Sequence, residues 1–362
     1  MEINLAVLAR QFQLYQAEYE AVALRALRSG WYILGTELEN FEREFAEYLG
    51  AKFCIGVNSG LDALTLAIRA LGIGAGDEVI VPANTYIATA LAVIANGAAP
   101  VFVEPDEFYN LDAEKISAAV TEKTRAIMVV HLYGHPANLE KICAIARKFN
   151  LPIVEDCAQS HGARFCGKMT GTFGVGCFSF YPTKNLGAFG DAGAVVTDDE
   201  NFAREIRTLR NYGSEVKYHN KIAGVNSRLD EIQAALLRVK LSHLDELNAE
   251  RKKIARRYLN EIKNRRIILP KILDGAEHVW HQFVVRTDNR AAFQKYLAQE
   301  NIQTVIHYPI PPHLAECYAP LGFKRGDFPI AEKFADEVLS LPMFNGMTQA
   351  EIDYVIEVVN KF

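Results

Sequence analysis

LPIVEDCAQSHGARFCGKMTGTFGVGCFSFYPTKNLGAFGDAG, residues 151–193, is the most informative stretch of this chain. Its first four residues are mostly apolar and predict a short buried strand, because short apolar runs are typical of strands inside a sheet. Asp156 follows that strand, and glycine-rich loops then lead to Lys184. Since open α/β sheets bind ligands at the carboxyl ends of their strands, the pattern places Asp156 in a predicted ligand crevice.

Outward from this stretch, apolar segments alternate with amphipathic ones. Strands are predicted at 53–57, 78–81, 99–103, 125–130, 151–154, 177–180 and 193–197, and helices at 60–71, 86–95, 112–120 and 138–149. This alternation predicts an α/β fold with a mostly parallel sheet of the seven-stranded type, flanked by helices on both faces. Upstream, helices are predicted at 15–29 and from Thr36 to Gly50, and the pair Thr36 and Glu39 predicts a capping box.

The chain after residue 200 is predicted to contain longer and more highly charged helices. Long charged helices are predicted at 199–211 and 228–263, followed by a strand at 280–285, a helix at 290–300 and a last helix from Thr348. This mixture predicts a smaller C-terminal α/β domain. The expected division is a large domain over 1–240, with the N-terminal helix included, and a small domain over 241–362.

Bulk composition excludes several classes of protein. The 362 residues carry a net charge of -5, without the clustered basic excess of a nucleic-acid-binding surface. No apolar stretch approaches the length of a membrane span, and the N-terminus lacks the pattern of a signal peptide. The six cysteines include no CxxC pair, so no metal site is predicted, and free thiols in the cytoplasm are expected.

Single residues of the crevice allow two interpretations each. A partly desolvated lysine at 184 could act as a nucleophilic amine, whereas a solvated loop lysine is the more ordinary state. Asp156 could equally cap a helix or pair with a cation. Tyr86, in PANTYIAT (82–89), could stack on a flat ring or belong to the core. Ser179 could donate to a phosphate or be an ordinary strand serine.

The segment NSGLD (58–62) links a predicted strand to a predicted helix. Ser59 and Asp62 form a capping-box-like pair, and Gly60 lets a ligand approach the backbone. Amides at a helix N-terminus bind phosphate well, but an ordinary capped helix start explains the pattern equally well.

Longer motifs carry a resemblance to a known family. VEDCAQSHGA, FSFYPTKNLGAFGDAGA, LRNYG and VNSRLDEIQAALL are distinctive runs. From Leu5 to the last helix, the chain resembles the sugar-nucleotide aminotransferases of pyridoxal-phosphate (PLP) fold type I, the DegT/DnrJ/EryC1/StrS family. VPANTYIA, RNYGSEVKYHNKIAGVNSRLDE and IHYPIPPH resemble most the enzymes that aminate C3 of a dTDP-3-keto-6-deoxyhexose.

The resemblance implies a PLP cofactor and roles for the residues around it. Lys184 would form the Schiff base and carry protons, Asp156 would hold the pyridine nitrogen protonated, and Gln159 would contact the ring. Tyr86 would stack on the ring. The cofactor phosphate would be bound by Gly60, Leu61, Asp62 and Ser179, and by Asn226 from the neighbouring subunit of a homodimer with shared active sites. Residues around the sugar and its pyrophosphate would be Tyr181, Tyr212, Lys217, Tyr218, His307 and Tyr308.

The implied reaction is a ping-pong transfer from L-glutamate through pyridoxamine phosphate (PMP) to a nucleotide-linked keto sugar. It belongs to deoxyamino-sugar biosynthesis, of the kind that supplies lipopolysaccharide O-antigen or S-layer glycans. The C4 configuration, amination at C4 instead of C3, the nucleotide base and the amino donor stay open. Similar enzymes tend to have Gln where this chain has His135, which we expect to be a partly exposed loop histidine.

Three other functions compete with this interpretation. A sugar 3-dehydratase on the same scaffold resembles this chain but carries histidine where Lys184 stands. A nucleotide-sugar oxidoreductase would need GxGxxG after a strand, and the run LGIGAGDEV (71–79) follows a predicted helix instead. A non-catalytic regulator with the same fold would have no need for Lys184, Asp156 and Gln159 together.

Overall fold

The computed structural model describes all residues, 1–362. Its strands are β1 Phe53–Val57, β2 Glu78–Pro82, β3 Ala99–Val103, β4 Thr124–Val130, β5 Ile153–Asp156, β6 Arg164–Phe165, β7 Lys168–Met169, β8 Val175–Ser179, β9 Gly193–Thr197, β10 Ser214–Val216, β11 His219–Asn220, β12 Ala276–Glu277, β13 Phe283–Arg286 and β14 Val338–Leu341.

The central sheet has seven strands in the order β1-β9-β8-β5-β4-β2-β3. Parallel pairing joins β8, β5, β4, β2 and β3. Because β9 is antiparallel to both β1 and β8, it is the one strand that runs against the others. The predicted α/β class and mostly parallel sheet are therefore confirmed, and six strands end at the same edge.

The α-helices cover both faces of this sheet and build the rest of the chain. They are α1 Leu8–Leu14, α2 Gln16–Ser29, α3 Thr36–Leu49, α4 Gly60–Ala70, α5 Ala88–Ile94, α6 Ala113–Ala119, α7 Leu139–Phe149, α8 Glu200–Leu209, α9 Glu231–Ser242, α10 Leu244–Glu261, α11 Arg290–Gln299, α12 Pro329–Glu337 and α13 Gln349–Lys361. No helix combines the length and the apolar character that crossing a bilayer requires.

The single long helix predicted at 228–263 is wrong, because the chain breaks between α9 and α10. His243 leaves the helical region of backbone space, with φ -108° and ψ 3°. Its ring stacks on Tyr15 at a centroid distance of 3.8 Å, and its Nε2 lies 3.2 Å from the carboxylate of Glu18. The break coincides with packing against the N-terminal helices. The sequence did not predict the break, because helical periodicity carries no information on such contacts.

The predicted capping box at Thr36 is also wrong. Gly35 is the N-cap of α3, and no side chain of that segment caps the helix. The carboxylate of Glu231, at the start of α9, instead accepts hydrogen bonds from the amides of Gly35, Glu37 and Leu38 at 2.9–3.0 Å. The free amides of a helix start need an acceptor, and here a distant residue provides it.

Separate apolar cores lie around the sheet and near the C-terminus. One cluster packs α4, α5 and α8 against the sheet, and another packs α3 and α9 against it. A third joins α10, α11, α13 and the antiparallel pair β13–β14, and it includes Ile3 from the N-terminus. The division of the chain at residue 240 stays a prediction. This third core brings the C-terminal residues close to the edge where the strands end.

Candidate active site

A cavity of about 620 Å³ opens where the central strands end. Its walls come from the loops after β1, β2, β4, β5 and β8, and from two C-terminal segments. Predicted site residues that line it are Gly60, Leu61, Tyr86, Asp156, Gln159, Ser179, Tyr181, Lys184, His307 and Tyr308. The position agrees with the rule that open α/β sheets bind ligands at the carboxyl ends of strands.

Asp156 is the last residue of β5 and is buried. One carboxylate oxygen accepts a hydrogen bond from the Thr89 hydroxyl at 2.9 Å, and the other accepts one from the Ala158 amide at 3.2 Å. Burial raises the pKa of Asp156, while these donors and the nearby Lys184 oppose that effect. The group can therefore hold a cationic partner in the cavity with its orientation fixed.

Lys184 lies in the loop after β8, and its side chain is partly buried. Its amide donates to the carbonyl of Tyr181 at 2.8 Å, which closes a tight turn. Burial lowers the pKa of Lys184 to about 8, and the charge of Asp156 partly offsets this. A neutral amine is therefore accessible near physiological pH, as a nucleophile or proton carrier requires.

The start of α4 forms a narrow cradle beside these two groups. Gly60 and Leu61 are the first residues of the helix, where amides have no intrahelical acceptor. A Cβ on Gly60 would lie 2.5 Å from the Cβ of Ser179, so only glycine fits there. A Cβ on Gly193 would lie 2.3 Å from the carbonyl oxygen of Ser59. The cradle presents backbone amides and the Ser179 hydroxyl, and such donors suit a phosphate.

Gln159 joins the opposite wall to the C-terminal part of the chain. Its Oε1 accepts from the Tyr133 amide at 2.5 Å, and its Nε2 donates to the Tyr308 hydroxyl at 3.0 Å. The rings of Tyr308 and Tyr86 lie 5.2 Å apart between centroids. His307 Nδ1 is 2.7 Å from the Ser340 hydroxyl, and burial lowers the pKa of His307 to about 4. This wall is neutral and offers aromatic faces with polar edges.

Five predicted site residues do not line the cavity of their own chain. The amide of Asp62 donates to the Ser59 hydroxyl at 3.1 Å, and its carboxylate accepts from the Ser227 hydroxyl at 2.7 Å. Asp62 thus supports the cradle from behind. The other four are exposed on or beside the hairpin β10–β11: Tyr212, Lys217, Tyr218 and Asn226.

Three residues in or around the cavity were missed from the sequence. Thr89 donates to Asp156 and orients it, and it is the last residue of the PANTYIAT run that contains Tyr86. Gly193 supports the cradle, and a glycine directly after a predicted loop was the available signal. His281 lines the cavity, and its Nδ1 lies 3.2 Å from Asn185 Oδ1.

The expectation that His135 is partly exposed is wrong. The side chain is buried, with 3% of the residue accessible, and it stacks on Phe108 at 5.4 Å. Its Nε2 accepts from the Leu273 amide at 3.0 Å, and burial lowers the pKa of His135 to about 4. His135 therefore ties the loop after β4 to the C-terminal part of the chain, outside the cavity.

Comparison with known proteins identifies the family. The model of the DegT/DnrJ/EryC1/StrS aminotransferase family matches residues 14–360. The chain belongs to this family. The predicted family and aminotransferase activity are thereby confirmed.

Two curated relatives are similar over almost their whole length. The dTDP-3-amino-3,6-dideoxy-alpha-D-galactopyranose transaminase of Aneurinibacillus thermoaerophilus is 56% identical over 350 residues, 96% of each chain. The dTDP-3-amino-3,4,6-trideoxy-alpha-D-glucose transaminase of Streptomyces venezuelae is 49% identical over 350 residues, 96% of this chain and 92% of that one. Both names describe amination at C3 of a dTDP sugar.

Solved structures agree with the fold. DesV of S. venezuelae, solved in complex with a ketimine intermediate, is 47% identical with a TM-score of 0.98, covering 99% of this chain and 98% of that one. NtdA of Bacillus subtilis, solved with bound cofactor PMP, is 31% identical with a TM-score of 0.92, covering 99% of this chain and 84% of that one. The predicted aminotransferase fold is confirmed, and the predicted cofactor agrees with the one bound in NtdA.

Proposed function

We propose that the chain is a PLP-dependent aminotransferase that converts a dTDP-3-keto-6-deoxyhexose to the 3-amino sugar, with L-glutamate as donor. The observation that carries this proposal is one cavity that holds the Lys184 amine, the Asp156 carboxylate and the Gly60 cradle. The two curated relatives, both named for 3-amino dTDP sugars, support the substrate.

The groups of the cavity fit PLP. Gly60, Leu61 and Ser179 would bind the phosphate, Asp156 the pyridine nitrogen, and Lys184 the aldehyde carbon. Bound PLP supplies an aldehyde that condenses with amines and a ring that accepts electron density. Tyr86, half exposed at the cavity wall, would cover the flat cofactor ring, and Gln159 would contact the edge of that ring.

The protein's own contribution is to hold charge and move protons. Asp156, fixed by Thr89 and Ala158, would keep a proton on the ring nitrogen because a buried carboxylate favours a cationic partner. The Lys184 amine, with its lowered pKa, can accept a proton in one half of the reaction and return it in the other. Acid and base duties then alternate at one nitrogen.

Tyr181, His307 and Tyr308 would contact the sugar, since they line the same cavity. The exposed hairpin residues would reach the site of a second copy, with Asn226 on the cofactor phosphate and Tyr212, Lys217 and Tyr218 near the pyrophosphate. Support comes from the exposure of apolar groups on this hairpin, where Tyr218 is 86% accessible. Large exposed aromatics are typical of interfaces. The proposed assembly is a homodimer with shared sites, and the cytoplasmic location and the glycan pathway stay predictions.

Turnover with a panel of keto sugars tests the substrate. The panel varies the keto position (C3 or C4), the C4 configuration (gluco or galacto) and the base (dTDP, UDP or GDP), with glutamate present. We expect dTDP-3-keto sugars to be preferred over the 4-keto sugars by about 10²-fold or more, because a 4-keto sugar lacks the C4 hydroxyl that a buried polar group would bind. Preferred amination at C4 would contradict the proposal.

The variant Lys184→Ala tests whether this amine binds the cofactor and takes part in amino transfer. We expect the purified variant to lose the visible absorption of lysine-linked cofactor and all transfer from glutamate. If the protein were a non-catalytic regulator, the wild-type chain itself would show neither the absorption nor the transfer from glutamate. A Lys184→Ala protein that kept both signals would show that the amine lies elsewhere.

A further inference from the structure

A second lysine lies directly behind the turn that carries Lys184. Lys240, near the end of α9, is buried, with 3% of the residue accessible. Its Nζ lies 3.5 Å from the carbonyl oxygen of Lys184 and 3.3 Å from that of Gly187. The third oxygen within reach is Oε1 of Gln11 in α1, at 3.2 Å. The amine therefore joins both ends of the turn to the N-terminal helix.

No carboxylate compensates this buried amine. Burial and the neighbouring Arg251 of α10 lower the pKa of Lys240 to about 7, without an acidic group among the causes. From α1, Gln11 faces the amine, and from α2, Tyr19 lines the same small cavity of about 260 Å³. Burying an ammonium without an ion-pair partner is unfavourable by several kcal/mol. The amine donates to three oxygens that surround it, and two of them belong to the turn that carries Lys184.

The other contacts of the turn that Lys240 holds do not involve the carbonyls of residues 184 and 187. The Ala188 amide donates to the Phe180 carbonyl at 2.7 Å and closes the turn. A Cβ on Gly187 would lie 2.4 Å from the carbonyl oxygen of Pro182. On the other side, Asn185 donates to Asn248 at 2.8 Å and to the Val279 carbonyl at 3.0 Å. The carbonyls of residues 184 and 187 are thus left to Lys240 on the face toward α1.

We propose that Lys240 is a positioning residue that clamps the turn 184–187 and so aims the Lys184 amine into the cavity. The proposal rests on the proposed function for the chemistry that Lys184 performs. The clamp itself is a property of the protein without cofactor, because every contact belongs to the chain. When a reacting group is displaced by about 1 Å, turnover can fall about 10²-fold.

The variant Lys240→Met tests the clamp, since methionine fills similar space without charge or N–H donors. The first measurement is the pH midpoint for acetylation of Lys184 in the cofactor-free protein, read by peptide mass spectrometry. We expect the midpoint to rise by more than about half a pH unit, because a loosened turn lets water solvate the ammonium. The second measurement is turnover, where we expect kcat to fall about 10–100-fold with KM nearly unchanged.

Three further variants make the result decisive. Lys253→Met changes an exposed lysine of α10 and should match the wild type in both measurements. Lys240→Arg keeps N–H donors toward the turn and should leave the acetylation midpoint nearer to the wild-type value than Lys240→Met does. Gln11→Leu removes one acceptor of the Lys240 amine, and it should raise the acetylation midpoint by less than Lys240→Met does. If Lys240→Met does not fold, Gln11→Leu and Lys240→Arg test the proposal instead.

A folded Lys240→Met protein with the wild-type midpoint would overturn the proposal, even if its thermal stability changed, because a purely structural role leaves the midpoint alone. Failure of the proposed function would give a different pattern. The wild-type protein would then lack cofactor absorption and transfer from glutamate, while the acetylation midpoints would still report on the clamp.

Discussion

At the scale of single residues, the environment of Lys184 determines what its amine can do. Water solvates the ammonium poorly in the turn after β8, and this lowers the pKa to about 8 from the ordinary value of 10.5. The nearby Asp156 limits the shift, because its negative charge favours the ammonium form. The two groups together keep a fraction of neutral amine available at neutral pH while leaving the carboxylate a cationic neighbour.

We predict that acetylation of Lys184 in the cofactor-free protein has a midpoint near pH 8, about two units below that of an exposed lysine. The ordinary lysine pKa of 10.5 is the reference for this shift. The same pKa values determine whether stability rises or falls with pH. The unfolded chain binds more protons between pH 8 and 10.5, so Lys184 makes stability rise with pH in that window. A midpoint for Lys184 near the ordinary value of 10.5 would contradict the prediction.

The residues that carry long motifs were predictable, and those that depend on tertiary packing were not. Lys184 and Asp156 lie in the run 154–194, which identifies the family by sequence alone. Thr89 was missed because its contact with Asp156 joins positions 67 residues apart. The burial of His135 was missed for the same reason, since its Nε2 accepts from the Leu273 amide, 138 residues away.

At the scale of elements, the start of α3 shows how a local rule can be satisfied from a distance. Thr36 and Glu39 match the capping-box pattern, yet the amides of Gly35, Glu37 and Leu38 bind Glu231. Glu231 is buried and lies in the first turn of α9, so the two helices share one carboxylate. The strand pattern was predictable because the central strands are mostly apolar. The direction of β9 was not, because apolar runs carry no information on it.

We predict that Glu231→Ala lowers the free energy of unfolding by about 1–3 kcal/mol, because it leaves one buried and two partly buried amides without an acceptor. Urea unfolding at a fixed protein concentration measures this. Thr36→Ala and Glu39→Ala are the controls and should each change it by less than about 0.5 kcal/mol, as is usual for exposed positions. If instead the two controls were the damaging variants, α3 would be capped by the local pair.

At the scale of the whole molecule, one chain supplies most of the cavity and leaves its hairpin outside. Asp156, Lys184 and Gly60 come from the sheet edge, and His307 and Tyr308 from the C-terminal part. Asn226 and the hairpin β10–β11 lie exposed, away from this cavity. The fold and the cavity could be predicted from strand pattern and motifs. A second copy as the partner of the exposed hairpin is expected from the family resemblance alone, because neither the strand pattern nor the contacts within one chain report on contacts between copies.

We predict that two inactive variants restore each other if the sites are shared. Lys184→Ala removes the amine, and Asn226→Asp would bring a carboxylate against the cofactor phosphate of the second copy. Only a mixed dimer contains an intact site, formed by the Lys184 of one subunit and the Asn226 of the other. With random reassociation of equal amounts, half of the dimers are mixed and one of their two sites is intact, so activity should return to about a quarter of the wild-type value.

The measurement is turnover after the two variants have been unfolded and refolded together. The control is turnover after the variants have been refolded separately and then mixed. Recovery would have no source if each chain completed its own site, because every cavity would then either lack the amine or contain the carboxylate that the Asn226→Asp substitution introduces.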